Sequence, residues 1–358
     1  MKSGDKPPHA GGEAGLADLR RRLLAWYDAA ARTLPWRAGP GASQRTDPYF
    51  VWLSEVMLQQ TTVPHATPYF LAFTRRWPTV SDLAAAQDAE VMAAWAGLGY
   101  YARARNLLKC ARAVAAEHGG RFPGTEAALL ALPGIGPYTA AAVAAIAFDQ
   151  PANVVDGNVE RVMSRLFAIE TPLPAAKAEI RVRAAGFIDA ASDRHGDWAQ
   201  ALMDLGATVC RPGVPDCGAC PLAQGCAGKA GGAPARYPLK SRKAERPHRH
   251  GVVWVVLRGG AVARVRRPDK GLLGGMIALP TSDWRDRPWS RAEMEVVAPA
   301  AADWHLAGSV DHVFTHFSLT LDVYVGDGEI TGAEWCTASE AGTGLPSVFQ
   351  KALQRGLA

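Results

Sequence analysis

Four of the chain's six cysteines stand within seventeen residues, as Cys210-x6-Cys217-x2-Cys220-x5-Cys226. The N-terminus, MKSGDKPPHAGGEAG, is polar and has no apolar targeting core, so no secretory route to disulfides is expected. Thiols crowded this closely then favour a metal or cluster over disulfides. Spacing leaves the metal open. Zinc usually takes two closely spaced pairs, whereas only Cys217 and Cys220 form one here, and the longer arms on either side could span a cube of iron and sulfide. Cys110 and Cys336 stand apart and read as structural.

The cysteine loop closes a long region of helical texture. Leu16, Leu19, Leu23, Leu24, Trp26 and Tyr27 recur at helical spacing, and Asp47-Pro48 reads as the cap and first position of a helix. Ala-rich segments predict helices near 83–95, 102–117 and 138–148. After residue 250 the pattern changes: HGVVWVVLRGGAVARVRR reads as two strands joined at Arg258-Gly259-Gly260, and SLTLDVYV alternates near 318–325. The expected organisation is multidomain: a disordered N-terminus over 1–15, a mostly α-helical region over 16–228, a linker over 229–250, and a smaller α+β domain over 251–358.

Charge separates these parts further. Residues 1–228 carry 22 Lys/Arg against 21 Asp/Glu, residues 229–250 carry 7 against 1, and residues 251–358 carry 10 against 12. The excess lies in KAGGAPARYPLKSRKAERPHRH, whose Gly and Pro content reads as an interdomain linker, either merely solvated or suited to a polyanion such as DNA. There is no uncharged apolar run of 18 residues, so a membrane span is not expected and a cytoplasmic location is.

Two acids attract notice for opposite reasons. Glu55 lies in PYFVWLSEVMLQQTT, among Val51, Trp52, Leu53, Val56, Met57 and Leu58, surroundings that would disfavour its ionised form. Asp156 in VVDGNVERV directly precedes a helix, where an Asp serves as a simple cap unless a partner acid meets it. Between them, LPGIGPY at 132–138 reads as a hairpin between helices. Gly134 and Gly136 permit a tight turn, and the N–H groups opening the second helix could then meet a phosphate without reading sequence.

Taken together, VWLSEVMLQQT, WAGLGYYARARNL, LPGIGPYTA, VVDGNVERV, QALMDLGATVC and the cysteine array resemble adenine DNA glycosylases of the MutY type, within the helix-hairpin-helix superfamily that includes endonuclease III. KGLLGGMIALP and HVFTHF resemble that family's C-terminal Nudix-like domain. The resemblance implies removal of adenine mispaired with 8-oxo-7,8-dihydroguanine, or less readily with guanine, from double-stranded DNA by a monomer that carries a [4Fe-4S] cluster on Cys210, Cys217, Cys220 and Cys226. It implies Glu55 as the acid at the base and Asp156 as the support or nucleophile for the sugar cation. Gln60 and Tyr100 would enter the base stack, Gln200 would contact the extruded adenine, and Asn158 would order the site. Arg103 and Arg105 read either as phosphate contacts or as a solvated helix face. Bifunctional relatives carry a lysine where this chain has Tyr138, and a phenol forms no Schiff base, so a monofunctional enzyme leaving an abasic site is expected.

In the C-terminal domain, Phe314, Thr315 and His316 are expected to recognise the oxidised guanine, with a core role as the other reading of His316. The glutamate array of a magnesium-dependent Nudix hydrolase is missing after Gly271, which disfavours a nucleotide pyrophosphatase. A catalytically silent DNA-binding protein is the remaining alternative, weakened by the presence of both acids.

Overall fold

A computed structural model of the chain describes residues 13–189, 193–241, 246–268, 271–314 and 316–358. It divides into two compact units, residues 1–241 and 242–358. No helix among the described residues is long and apolar enough to cross a membrane.

The first unit is helical: α1 (Glu13–Ala30), α2 (Pro48–Met57), α3 (Val63–Arg76), α4 (Val80–Ala85), α5 (Asp88–Ala94), α6 (Ala102–His118), α7 (Glu126–Leu130), α8 (Pro137–Phe148), α9 (Gly157–Leu166), α10 (Lys177–Asp189), α11 (His195–Thr208) and α12 (Ala227–Ala230). The first helix starts ahead of the expected residue 16, and residues 1–12, expected to be disordered, lie outside the described residues. Asp47 caps α2 as its sequence suggests, accepting the N–H of Tyr49 at 2.8 Å with Pro48 in the first turn. The helix expected over 83–95 is instead two, α4 and α5. Capping boxes at Thr79/Asp82 and Gln87/Glu90 give each its own start, outweighing the continuous Ala-rich composition.

Two hydrophobic cores form in this unit. One is built on Trp52, Leu53, Phe70, Trp95, Leu107 and the buried alanines of α8. The other joins Leu23 and Tyr27 of α1 to Val159, Met163, Ile180, Phe187 and Leu205. Helix α11 is buried along nearly its whole length and serves both, giving Ala199 and Met203 to the first core and Trp198, Leu202 and Leu205 to the second. Such burial needs close helix approach, and glycine supplies it. A Cβ on Gly206 would stand 2.5 Å from the Cβ of Asn158 on α9, and one on Gly196 would stand 2.7 Å from the Ala145 carbonyl oxygen of α8.

Part of the segment expected to be linker is packed on this unit. Tyr237 is 7% exposed, its carbonyl accepts from Arg165 Nε at 3.0 Å, and Lys240 bridges to Leu173. His248–His250 already belong to a strand of the second unit.

That unit contains β1 (His248–Arg258), β2 (Ala261–Arg266), β3 (Ile277–Ala278), α13 (Arg291–Val297), β4 (His305–Val313), β5 (Ser318–Asp327), β6 (Glu334–Thr337) and α14 (Ser347–Gly356). The sheet order is β3-β2-β1-β5-β4, with β6 also paired to β2. Strands β1 and β2 join at Gly259 and Gly260, both with positive φ, as a tight hairpin requires. The central pair, β1 and β5, is parallel. Alternation along β1 sends Val253 and Val255 into the core with α14, and Val252, Trp254 and Val256 into the core with Met294 of α13.

Substituting Gly206→Val should cost about 2 kcal/mol through overpacking against Asn158, measured as a lower denaturant midpoint with an unchanged slope. Gly232→Ala, with open space around the added methyl, should show no comparable packing loss beyond the strain of its positive φ.

Candidate active site

Glu55 projects from α2, where Tyr49 and every residue from Val51 to Met57 are buried. Its carboxylate is 8% exposed and accepts the Tyr138 phenol at 2.7 Å through Oε2. Burial pushes its pKa up to about 7, with the negative charge of Asp156 in support, while the Tyr138 hydrogen bond and the Arg37 cation pull the other way. The phenol of Tyr138 is itself held well above its ordinary value by burial and by both acids. The acids therefore lie within electrostatic reach although 101 positions separate them in the chain.

Asp156 caps α9. One oxygen accepts the Val159 N–H at 2.7 Å and the other accepts Asn158 Nδ2 at 2.8 Å. The capping reading holds, and the cap fixes the carboxylate between two donors. Beyond it, Arg161 donates to Asn158 Oδ1 at 2.8 Å, to the Gly206 carbonyl at 2.6 Å and to the Cys210 carbonyl at 2.8 Å. This network joins Asp156 to the first cysteine of the loop.

The sequence did not single out Arg37 or Asp204. Asp204 is fully buried on α11 and accepts Arg37 Nη1 at 2.7 Å, Arg32 Nε at 2.6 Å and the Arg32 N–H at 2.9 Å. It neutralises and anchors the Arg37 cation that acts on Glu55. An aspartate inside the apolar run QALMDLG was the available signal, since a buried carboxylate demands a partner.

Gln200 is 5% exposed, and its Oε1 has no hydrogen-bond partner among the described residues. It lines a cavity with Gly39, Gly41, Arg45, Arg194 and Asp197. Gln60 and Tyr100 are exposed and both adopt left-handed backbone, with φ of 58° and 48°. The hairpin runs from α7 to α8, with Gly134 at φ 76° and Gly136 capping α8 without a side chain. Both glycines are exposed, and neither N–H has an acceptor among the described residues. Arg105 is exposed. Arg103 is turned inward onto backbone carbonyls rather than toward solvent, so neither surface reading of it holds. The fork prefers the oxygens at the end of α2, where a helix leaves its carbonyls unsatisfied.

All four loop cysteines line one cavity of about 290 Å³, counted to its open mouth, together with Arg165 and Lys229. Arg165 is 2% exposed. It donates to Cys210 Sγ at 3.4 Å and to the carbonyls of Arg211, Gly213 and Tyr237, and no carboxylate pairs with it among the described residues. No three His, Cys, Asp or Glu side chains among the described residues converge on a single-ion site. Four thiols around a shared space with a buried cation beside them suit a wide anionic group better than one tetrahedral ion.

In the second unit, Phe314 packs on Trp284 at 5.6 Å and on Phe317 at 4.9 Å between ring centroids. Its N–H donates to the Phe317 carbonyl, closing the turn between β4 and β5. His316 is exposed, so it is not a core histidine. Thr315 lies outside the described residues. Glu293 is engaged by Arg285 and Arg287, and Glu295 by Arg291.

Comparisons with known proteins agree with this arrangement. Residues 53–184 match the model of the HhH-GPD superfamily of base excision DNA repair proteins, and residues 252–355 match that of the NUDIX domain. The adenine DNA glycosylase of Homo sapiens is 34% identical over 96% of this chain and 74% of its own length. That of Mycolicibacterium smegmatis is 44% identical over 60% of this chain and 70% of its own. A thermostable thymine-DNA glycosylase structure covers 60% of this chain and 97% of its own at a TM-score of 0.53 and 29% identity. A trapped endonuclease III–DNA covalent intermediate covers 62% and 98% at a TM-score of 0.50, its 22% identity bearing on fold alone.

The raised Glu55 pKa carries a stability cost with a defined sign. Between pH 4.5, where the unfolded side chain ionises, and about 7, where the folded one does, rising pH favours unfolding, by about 3 kcal/mol once both are ionised. Glu55→Gln should therefore be more stable than the parent at pH 8 and nearly equal to it at pH 4, compared by denaturant unfolding.

Proposed function

Because the chain belongs to the adenine DNA glycosylase family, we propose that its substrate is duplex DNA with adenine opposite 8-oxoguanine or guanine, and that Glu55 and Asp156 together remove the adenine. It is a base-excision-repair enzyme, and the bond it breaks is the N-glycosidic bond of adenine. The observation that carries the residue assignment is Glu55 itself: a carboxyl buried against Tyr138 with a pKa near 7, within reach of a second acid fixed at a helix start.

Cleavage follows from the pairing of these two acids. Protonated Glu55 delivers its proton to N7 of the extruded adenine, the C1′–N9 electrons leave with the base, and the ionised Asp156 supports the cation left on the sugar. Water then bonds to C1′ and passes a proton back to the Glu55 carboxylate, leaving an abasic site. Tyr138 cannot form a Schiff base, and its hydroxyl is already committed to Glu55. The unpaired Oε1 of Gln200 suits the exocyclic amine of adenine, a donor with no other use once the base leaves its pair.

The remaining contacts divide by what they touch. Gly134 and Gly136 offer backbone N–H groups to a phosphate, and Gln60 and Tyr100 fill the gap left by the extruded nucleotide. Phe314, Thr315 and His316 read the oxidised guanine, supported by the exposure of His316 at its turn. Cys210, Cys217, Cys220 and Cys226 hold a [4Fe-4S] cluster. When bound, it would fasten the loop and supply the negative charge that Arg165 lacks.

A single-turnover assay on a duplex with one adenine opposite 8-oxoguanine tests the chemistry. Strand breakage should need alkali, and borohydride should trap no adduct. The rate should fall as pH rises through about 7, and Glu55→Gln should lose about 10²-fold or more. Tyr138→Phe removes a bond that favours the ionised acid, so the pH midpoint should move upward. An unchanged rate for Glu55→Gln would discard the acid assignment. Independently, the purified chain should be brown and contain iron and sulfide rather than zinc, and Cys217→Ser should lose both.

A further inference from the structure

Arg103 sits in the first turn of α6, yet its guanidinium serves two other segments. Nη1 donates to the carbonyls of Val56 at 3.0 Å, Met57 at 3.2 Å and Gln59 at 2.6 Å. Nη2 donates to those of Leu98 at 2.8 Å and Gly99 at 3.2 Å. The first set is the open C-terminal end of α2, and the second is the turn leading into α6. No carboxylate pairs with Arg103 among the described residues. Its guanidinium instead lies 5.4 Å from the Trp95 ring and 5.5 Å from the Tyr100 ring. Trp95 adds a further bond, from Nε1 to the Gly99 carbonyl at 3.0 Å.

Two of these acceptors immediately precede residues of unusual geometry. Gln59 is followed by Gln60 and Gly99 by Tyr100, both exposed and both in left-handed backbone that side-chain-bearing residues rarely adopt. Forty positions apart in sequence, the two are held from behind by the same planar fork. Such a conformation persists only where its surroundings enforce it, and the Arg103 guanidinium bonds to the carbonyl just before each of the two.

We propose that Arg103 is a positioning residue that sets the spacing of Gln60 and Tyr100, so that the pair enters the DNA as one rigid wedge. It acts in opening the stack and recognising the mispair, and takes no part in breaking the glycosidic bond. The inference rests on the reading of Gln60 and Tyr100 as stack-entering residues. A wedge fixed before binding loses little freedom when it meets DNA, and its ordering cost is not drawn from the interactions that extrude the nucleotide. Lysine could keep the charge but not the planar bridge between the two loops.

The test uses the full chain with Arg103→Lys and Arg103→Gln. Binding is measured to a duplex with adenine opposite 8-oxoguanine and to the same duplex fully paired, with Glu55→Gln added to prevent turnover. Excision is measured by single turnover, with its pH profile, on that duplex and on one whose target adenine is flanked by abasic spacers and so needs no unstacking. Both variants should lose at least about tenfold in mispair discrimination and in the duplex rate, and should lose less on the spacer substrate. Affinity for paired DNA and the pH midpoint should stay near those of the parent, while the thermal midpoint should fall modestly as five carbonyls lose their donor. Parental discrimination in both variants overturns the proposal, and so does a uniform fall of every readout or failure of both to fold, which would mark a merely structural arginine. Gln60→Ala and Tyr100→Ala separate the underlying reading: if neither alters discrimination, that reading fails and the proposal with it. If they do and the Arg103 variants do not, the proposal alone fails.

Discussion

The contact between Glu55 and Tyr138 ties together two of the most deeply buried helices of the helical unit. It spans 83 residues of chain, and it forms only where α2, buried on nearly every side, lies against the first turn of α8. Without the phenol the carboxyl would face an apolar wall. Without the wall it would ionise at an ordinary pH. The two influences oppose one another, and burial wins, pushing the pKa up to about 7. A chain that keeps an acid in this condition gives up stability for it, and the two surrounding cores supply the excess from which it is drawn.

Several arginines make a related use of the interior. Arg103, Arg161 and Arg165 bond chiefly to backbone carbonyls, each gathering oxygens from more than one segment. A planar fork with five donors can satisfy carbonyls that no helix or strand will pair, which a single ammonium point charge cannot. Their positive charge is thus withdrawn from the surface.

Much of this was legible in local sequence. Asp47-Pro48 announced α2, the glycines of LPGIGPY announced a hairpin, and Arg258-Gly259-Gly260 announced a strand reversal, because each rests on backbone geometry that a few residues decide. Glu55 could be singled out because its immediate neighbours already state the environment that shifts its pKa. The division of 83–95 into two helices was missed, since Ala-rich composition masks the capping residues Thr79 and Gln87. The inward turn of Arg103, the Arg37–Asp204 pair and the parallel alignment of β1 with β5 were beyond local reading. Each depends on partners brought together from distant parts of the chain, and charge alone does not say whether an arginine meets water, a carboxylate or a carbonyl.

The two helical cores also differ in how they can be assembled. Residues 36–154 supply nearly all of the first, so it closes over short loops, whereas α1 completes the second only by meeting α10 and α11, more than 150 positions downstream. At roughly 5–20 residues per second of synthesis, the apolar face of α1 waits on the order of ten seconds for its partners. The nascent chain thus carries Leu23 and Tyr27 uncovered through that interval, and the second core closes only once α10 and α11 have been made.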